Sequence, residues 1–401
     1  MNPPRGSRRE LRGVYVSTMV AMVGYALVTV ALPFRFEALG FSVFQYGVVL
    51  AVYALGMLAT ESVWGALAFR IGRPRPIVGL GAIVAAILLA IGLSTSVLAF
   101  AVTLGLLGMF VIFPVPLMRW LALTARGPGT AGSGTGRYGL FFGTGLVVGA
   151  GLGPVLYVSV GFLALATIAV ALSVVSTVFL LTVPWKEFGL PPRGSSPRGE
   201  FRTVLTPHFA SASLLVVLYF IAYSLPLNFL QYYSRDLFGG TPTEAGYVIA
   251  AARTIALLGG FLLGPYVDRW GPSRSAPLGF LLLVVGALGV LASTSYAEMV
   301  AATAVFAVGA GGLSASLLPL ALGPIPPSAQ GTAIGVFGSF EDLGLLVGPL
   351  VIGTVYSGFG PRAIFPVVAL VAAAGVAVSL VIPRSVPELP PSVPSALPGR
   401  S

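Results

Sequence analysis

The chain contains no cysteine and a single histidine, and only 8% of its 401 residues are charged. Without cysteine it can form neither disulfides nor thiolate metal sites, although the cellular compartment stays open. His208 is the one histidine, and the sequence has no H-E-x-x-H or G-x-S-x-G stretch. It therefore offers no set of residues suited to catalysis in a membrane enzyme. We therefore expect no enzymatic activity, no catalytic residues, no metal and no cofactor.

The low share of charge also excludes a soluble domain, because such domains carry about 25% charged residues. Hydrophobic residues make up 56% of the chain, and its mean hydropathy is +0.97. A helix of roughly 20 apolar residues crosses the hydrocarbon core of a bilayer, and membrane helices tolerate glycine and proline. We predict an all-α membrane protein with twelve transmembrane helices, spans 1 to 12, over residues 13–33, 45–68, 76–95, 97–121, 138–158, 160–183, 209–231, 245–267, 276–294, 298–321, 332–357 and 362–383.

The basic residues are distributed unevenly about these spans. Seventeen of the 22 lie in segments on the same side as both termini, against Arg35, Arg235 and Arg362 on the other side. Because cytoplasmic segments of membrane proteins carry the excess of arginine and lysine, we expect a multi-pass protein of the cell membrane with both termini in the cytoplasm. The net charge of +10 then reflects topology and contact with anionic headgroups, not binding of nucleic acid.

The sequence repeats itself. The stretch Gly65–Arg75 closely resembles Gly264–Arg274, which lies 199 positions further on, and the same shift pairs Gly47 with Gly246. A second match, at a shift of 195, pairs Gly153-Pro154 of span 5 with Gly348-Pro349 of span 11. Two parallel repeats of six helices follow, so we expect two pseudo-symmetric six-helix bundles.

The predicted organisation combines these bundles with polar segments. The stretch between the two bundles is rich in proline, glycine, serine and charge, as a solvated linker requires. We predict a basic cytoplasmic N-terminus at 1–12, an N-terminal six-helix bundle at 13–183, a cytoplasmic linker at 184–206, a C-terminal six-helix bundle at 207–383 and a disordered cytoplasmic tail at 384–401.

The repeated glycine and arginine stretches resemble the loop between helices 2 and 3 of the major facilitator superfamily and its echo between helices 8 and 9. The resemblance implies a twelve-helix transporter that alternates access around a midplane site, with these loops acting as a cytoplasmic gate. The matching positions are Gly65, Arg70, Gly72 and Arg73 in the first copy, and Gly264, Asp268, Arg269, Gly271 and Arg274 in the second.

Each gate residue type has a physical reason. Gly72 and Gly271 permit a turn of few residues, while Gly65 and Gly264 permit a neighbouring helix to approach closely. In the family the aspartate of this motif latches the cytoplasmic side, and Asp268 fills that position. Phe69 stands at the equivalent place in the first copy, so we expect a latch in the second half alone. The alternative is that both loops are merely short, positively charged turns.

Span 5 carries Gly145, Gly149 and Gly153-Pro154 at intervals of four, so that these residues share one face. This run resembles the antiporter motif of proton-coupled drug exporters in the family, although Tyr157 and Val158 stand where that motif has further glycines. Span 11 repeats the spacing with Gly344, Gly348 and Pro349. Close helix packing, required equally in both halves, is the alternative explanation.

Five charged residues fall inside predicted spans, where charge is costly and commonly functional. They are Glu61, Arg119, Arg253, Glu341 and Asp342. Arg253 and Asp342 lie at similar depths, so we expect Arg253 to neutralise one carboxylate of span 11 while the other takes up the coupling proton. Glu61 is a second candidate for coupling, whereas Arg119 is expected to reach the inner headgroups. An ordinary structural bond is the alternative for either carboxylate.

In the resembling family, helices 1, 4, 7 and 10 line the central cavity. The resemblance implies these possible substrate-binding residues: Tyr25, Met109, Phe113, Tyr219, Tyr223, Asn228, Gln231 and Phe306. Few fixed charges project from these helices, which favours an apolar, aromatic or weakly polar molecule over an organic phosphate. Packing is the alternative for each aromatic or methionine side chain.

The function predicted from these features is secondary active transport of a small apolar or weakly polar molecule, as proton-coupled efflux. An importer of a nutrient such as a sugar or other metabolite is the main alternative, and a membrane sensor on a transporter scaffold is another. The expected partners are a small-molecule substrate, protons and the lipid bilayer, and we expect a monomer.

Overall fold

A computed structural model describes residues 10–71, 75–111, 131–181, 203–326 and 329–382. These residues form helices without any strand, as the fold class predicted from the sequence requires. The helices are α1 (Glu10–Ala38), α2 (Val43–Ile71), α3 (Arg75–Leu93), α4 (Val97–Val111), α5 (Ala131–Val160), α6 (Phe162–Leu181), α7a (Pro207–Ser224), α7b (Leu230–Phe238), α8 (Pro242–Trp270), α9 (Pro272–Ala292), α10 (Tyr296–Leu322), α11 (Gln330–Phe359) and α12 (Ile364–Val381).

Ten helices are long and apolar enough to cross a membrane, and the apolar parts of α3 and α4 within the described residues are shorter. The chain is therefore a multi-pass membrane protein. Most helices run a few residues beyond the predicted spans, and α1 continues through Pro33 to Ala38. The predicted linker falls largely in 182–202, outside the described residues, and the predicted tail lies outside them too.

The seventh helix is broken. A π-helical segment, Leu225–Phe229, separates α7a from α7b within predicted span 7. Pro226 accounts for the break, because proline has no N–H and its ring clashes with the carbonyl of residue i−4 in an α-helix. Such π segments are rare and occur frequently at functional sites.

The two halves repeat the same internal packing. In the first half α1 packs on α5 and α6, and in the second half α7a packs on α11 and α12. Likewise α2 contacts α4 and α3 contacts α6, while α8 contacts α10 and α9 contacts α12. Equivalent helices thus make equivalent contacts, and the predicted pseudo-symmetric bundles are confirmed.

The halves meet along two seams, α2 against α11 and α5 against α8. At the first, a Cβ built on Gly47 would lie 2.5 Å from the Pro349 carbonyl oxygen and 3.4 Å from the Gly353 Cα. At the second, a Cβ on Gly246 would lie 2.5 Å from the Pro154 Cγ. Both seams thus use a glycine facing the proline of a Gly-Pro pair, and the two glycines are the pair that the sequence repeat aligns.

These contacts lie towards the side of the bundle that carries the α1–α2, α5–α6, α7–α8 and α11–α12 turns, which we call the distal side. There the Phe44 N–H also donates to the Ser357 Oγ at 3.0 Å, joining the two halves. Nearer the side of the termini, a Cβ at Gly139 or Gly335 would meet no described neighbour within 4 Å. In this conformation the described contacts hold the halves together on the distal side.

We expect Gly47→Ala and Gly246→Ala each to lower the free energy of unfolding by about 1–3 kcal/mol, because the added methyl overpacks a seam. The change is measured as thermal unfolding of the purified protein in nanodiscs. Gly335→Ala, on α11 with open space at its Cβ position, is the matched control and should leave stability unchanged or slightly higher. Equal effects at all three positions would show that the seam glycines are no more sensitive to an added methyl than the open position at Gly335.

Candidate functional site

A cluster of tyrosines lies where the two halves meet. It comprises Tyr25 on α1, Tyr46 and Tyr53 on α2, and Tyr219 and Tyr223 on α7a, and we call it the tyrosine cluster. The rings of Tyr25 and Tyr53 are 6.3 Å apart, while Tyr219 and Tyr223 stack at 5.4 Å. Tyr25, Tyr53 and Tyr223 keep partial exposure among the surrounding helices, and we call the accessible space beside these three side chains the cavity of the tyrosine cluster.

Helical spacing explains the cluster. Tyr219 and Tyr223 are four residues apart, and Tyr46 and Tyr53 are seven apart, so each pair shares one helix face. α1 brings Tyr25 to the same place because its opposite contacts, with α5 and α6, are made by small residues. Of the predicted substrate-binding residues, Tyr25, Tyr219 and Tyr223 thus belong to the tyrosine cluster.

Arg253 on α8 reaches this cavity from the second half. Its Nη1 donates to the Leu146 carbonyl of α5 at 3.4 Å, and the phenols of Tyr25, Tyr46 and Tyr223 lie within electrostatic range of its charge. No carboxylate of the described residues lies within ion-pairing distance of the guanidinium. The predicted pair between Arg253 and a carboxylate of α11 is therefore not formed in this conformation, and it stays a prediction for the transport cycle.

The two adjacent carboxylates of α11 face different tyrosines. Asp342 is buried and interacts electrostatically with Tyr53 of the first half, whereas Glu341 is half-buried and interacts with Tyr219 of the second. This division follows from the rotation of about 100° between successive helical residues. Asp342 therefore approaches the Tyr25–Tyr53 pair, whose other neighbour is Arg253.

The remaining predicted lining residues are spread more widely. Asn228 lies half-buried in the π segment, and its carbonyl accepts a hydrogen bond from the Gln231 Nε2 at 2.5 Å. The Met109 carbonyl accepts from the Thr60 Oγ1 at 3.2 Å, next to the α2–α4 contact. Phe306 packs into the apolar core with its backbone against Gly286 of α9. Phe113, Arg119 and the side chain of Glu61 lie outside the described residues.

Part of the predicted gate can be described. Gly271 is the single residue between α8 and α9, and its φ of 82° is a conformation that glycine adopts without strain. Arg269 and Arg274 are exposed on either side of this turn. A Cβ at Gly264 would have no described neighbour within 4 Å. The side chain of Asp268 lies outside the described part of the structure. Of the first copy, only the helical backbone of α2 is described, so the side-chain surroundings of this set lie outside the described part as well: Gly65, Arg70, Gly72 and Arg73.

The spaced glycines of α5 and α11 bring neighbouring backbones together. Gly149 and Gly153 sit against the carbonyls of Val23 and Leu27 on α1, where a Cβ would lie 2.5 and 2.8 Å from the oxygens. Gly145 abuts α1 in the same way one turn earlier. On α11, Gly344 and Gly348 face Val217 and Ser224 of α7a. These glycines therefore hold the helix pairs within each half, while Pro154 and Pro349 lie at the seams.

A charged cluster on the distal side was not predicted from the sequence. Arg235 of α7b forms ion pairs with Glu37 of α1 and, at 2.5 Å, with its neighbour Asp236. The Tyr356 hydroxyl of α11 donates to the other Asp236 oxygen. We call Glu37, Arg235, Asp236 and Tyr356 the distal ion cluster. It joins the first half to the second on the side where the seams are closed.

Neighbouring groups reinforce the distal ion cluster. Arg235 lies over the ring of Tyr232 at 5.6 Å, and the Tyr232 hydroxyl donates to the Pro33 carbonyl of α1 at 3.1 Å. Partial burial lowers the pKa of Arg235, but the carboxylates of Asp236 and Glu37 outweigh it and raise the pKa above its ordinary value. The sequence signal that could have found the cluster is charge placed just after spans 1 and 7, the first helices of the two repeats.

The family model described as Major Facilitator Superfamily matches residues 14–237 and again residues 212–400. The chain belongs to the major facilitator superfamily. The two matches divide the chain as its repeat does, and the resemblance predicted from the glycine and arginine loops is confirmed. Members of this family are transporters of small molecules embedded in the membrane.

Relatives and solved structures extend over nearly the whole chain. A multidrug resistance protein MdtG from Serratia proteamaculans is 27% identical over 391 residues, covering 91% of each protein. An uncharacterized 38 kDa protein from Thermoproteus tenax is 29% identical over 352 residues, covering 82% of this chain and 84% of its own. The structure of an auto-inhibited POT family peptide transporter matches with a TM-score of 0.76 at 15% identity, covering 96% and 99% of the two chains. At that identity the likeness shows the fold alone.

We expect Arg235→Gln to shift the population towards a conformation that is open on the distal side. Because Arg235 and Glu37 are 36% and 44% exposed, their pair is worth only about 0.2–1 kcal/mol, which corresponds to a shift of about 1.4- to fivefold. The chain has no cysteine to remove, so spin labels at Ala38→Cys and Gly358→Cys report the distance between the halves by double electron-electron resonance.

The control is Arg362→Gln, which removes an exposed distal charge that forms no ion pair in the described part of the chain. It should leave the distance distribution unchanged, while high salt should move the wild type in the direction of Arg235→Gln. A distribution that Arg235→Gln does not alter would show that the distal ion cluster is not part of the closure.

Proposed function

We propose that this chain is a proton-coupled exporter of small amphipathic molecules in the cell membrane, acting as a monomer. The observation that carries the proposal is the cavity between the halves, where the tyrosine cluster meets Arg253 and the carboxylates of α11. A site formed by both halves changes its access when the halves rotate against each other. The multidrug resistance proteins among the relatives favour export over uptake.

The bias of basic residues places both termini in the cytoplasm in this proposal. The distal side then faces outward, and the conformation described above is an inward-facing one. A substrate enters the cavity from the cytoplasm or the inner leaflet while the seams and the distal ion cluster keep the outer side closed. Rotation of the halves opens the seams, separates Arg235 from Glu37 and releases the substrate outside.

Proton coupling is assigned to the carboxylates of α11. Asp342 is buried beside Tyr53, and Glu341 is half-buried beside Tyr219, so each can respond to what occupies the cavity. Protonation removes a negative charge from this region, so the carrier can pass through an occluded state at a lower free-energy cost. Deprotonation towards the cytoplasm then resets the carrier for another cycle.

Proteoliposomes loaded with a fluorescent amphipathic dye and given an imposed pH gradient test this function. We expect the wild type to transport the dye when a pH gradient is imposed. At least one of the variants Glu341→Gln and Asp342→Asn should lose this gradient-driven transport. A variant that has lost only the coupling group should still exchange dye across the membrane at equal pH. Glu298→Gln, an exposed carboxylate that caps α10 on the distal side, is the control and should behave as the wild type.

Two results would contradict the proposal. If the double variant Glu341→Gln and Asp342→Asn keeps its response to the pH gradient, the coupling does not depend on these carboxylates. If comparison of right-side-out and inverted vesicles shows accumulation in the cytoplasmic compartment driven by inward proton flow, the chain is an importer.

A further inference from the structure

Arg253 differs from the other arginines that the structure describes. Arg269, Arg274 and Arg362 are exposed near helix ends, Arg35 lies over the Phe162 ring at 5.9 Å, and Arg235 is held by two carboxylates. Arg35 is also half-buried and its Nε also lacks an acceptor, but it lies near the distal end of α1 against an aromatic ring, whereas Arg253 lies towards the middle of predicted span 8. An arginine stays protonated in proteins, so its charge needs compensation wherever the surroundings are poor in water.

The surroundings of Arg253 supply little of that compensation. Its Nε is buried and has no hydrogen-bond acceptor among the described residues, and the contact of Nη1 with the Leu146 carbonyl is long, at 3.4 Å. The groups within electrostatic range are the neutral phenols of Tyr25, Tyr46 and Tyr223. The edge of the guanidinium formed by Nε and Nη2 therefore has no acceptor among the described residues.

We infer that Arg253 binds the anionic group of the substrate, and that the substrate class is an amphipathic organic monoanion with an aromatic or apolar body. This inference rests on the proposed function and narrows its substrate class. The Nε and Nη2 donors of a guanidinium match the two oxygens of a carboxylate or sulfonate in a bidentate pair. Such a ligand supplies the acceptor that Nε lacks.

The rest of the cavity fits the body of such a molecule. Tyr25, Tyr53 and Tyr223 are half-buried and present aromatic surface, which suits an aromatic or aliphatic group. Asp342 and Glu341 belong to the same region and disfavour a second negative charge on the ligand. One available cation therefore matches one anionic group, which disfavours phosphate dianions and replaces the uncharged, weakly polar class predicted from the sequence with a singly charged one.

Matched aromatic probes test the inference by equilibrium binding to protein in nanodiscs, with empty nanodiscs as the blank. The probes are 2-naphthoate, its neutral partner 2-naphthamide and the cation 2-naphthylmethylammonium. We expect the wild type to bind 2-naphthoate about 10- to 100-fold more tightly than the amide, the range typical of a hydrogen bond to a charged group. Arg253→Gln should abolish this preference and leave binding of the amide unchanged.

Arg253→Lys keeps the charge without the planar fork and should retain part of the preference. Arg362→Gln is the control for loss of a positive charge and should bind all three probes as the wild type does. Equal binding of acid and amide by the wild type, or a preference for the acid that survives in Arg253→Gln, would overturn the inference. The wild-type series and Arg253→Lys decide the question even if Arg253→Gln does not fold.

The same preparations are assayed for dye transport in proteoliposomes, which separates this inference from the proposed function. If the protein transports dyes but binds 2-naphthoate no more tightly than 2-naphthamide, the anion site at Arg253 is wrong and the proposed exporter function is unaffected. Preference for 2-naphthoate without transport of dyes or of 2-naphthoate overturns the exporter and leaves a binding site at Arg253.

Discussion

Two glycines without side chains allow the halves of this protein to meet. Gly47 and Gly246 each lie against the proline of a Gly-Pro pair on the opposite half, at Pro349 and Pro154. In a membrane the hydrophobic effect gives little drive for helices to associate, so close van der Waals packing between small residues must do so. The tyrosine cluster and the distal ion cluster both depend on the separation that these seams set.

The helices α2 and α8 carry both the seam glycines and residues of the candidate site, so a change at the site can affect the packing of the two halves. α2 carries Gly47 as well as Tyr46 and Tyr53, and α8 carries Gly246 two helical turns before Arg253. Under the proposed function, a ligand that draws Arg253 towards the tyrosines would act on the helices that form the seams. Such a ligand would shift the conformational equilibrium if its contacts differ between the two states.

The fold could be predicted largely from the sequence, since hydropathy gave the helices, the repeat gave the two halves and the loop motif gave the family. Tyr219 and Tyr223 could be placed together by their spacing of four. Their meeting with Tyr53 and Arg253 could not be predicted, because contacts between helices far apart in sequence depend on packing and not on any local pattern. The distal ion cluster was missed for the same reason, since Glu37 and Arg235 are distant in sequence and only the seams bring them together. The break at Pro226 had a visible signal, but proline is common in membrane helices and does not specify a π turn.

The π segment of the seventh helix also separates residues of the tyrosine cluster from residues of the distal ion cluster. α7a carries Tyr219 and Tyr223 of the cavity, whereas α7b carries Arg235 and Asp236 of the distal side. A π turn holds one residue more than an α turn, so its conversion to α-helix would rotate α7b relative to α7a by about 100°. Such a rotation would carry Arg235 away from Glu37 while the tyrosines kept their positions. A change of helical register within the seventh helix, without any bend of the bundle, would thus remove the ion pair between Arg235 and Glu37 while the seams stay in place.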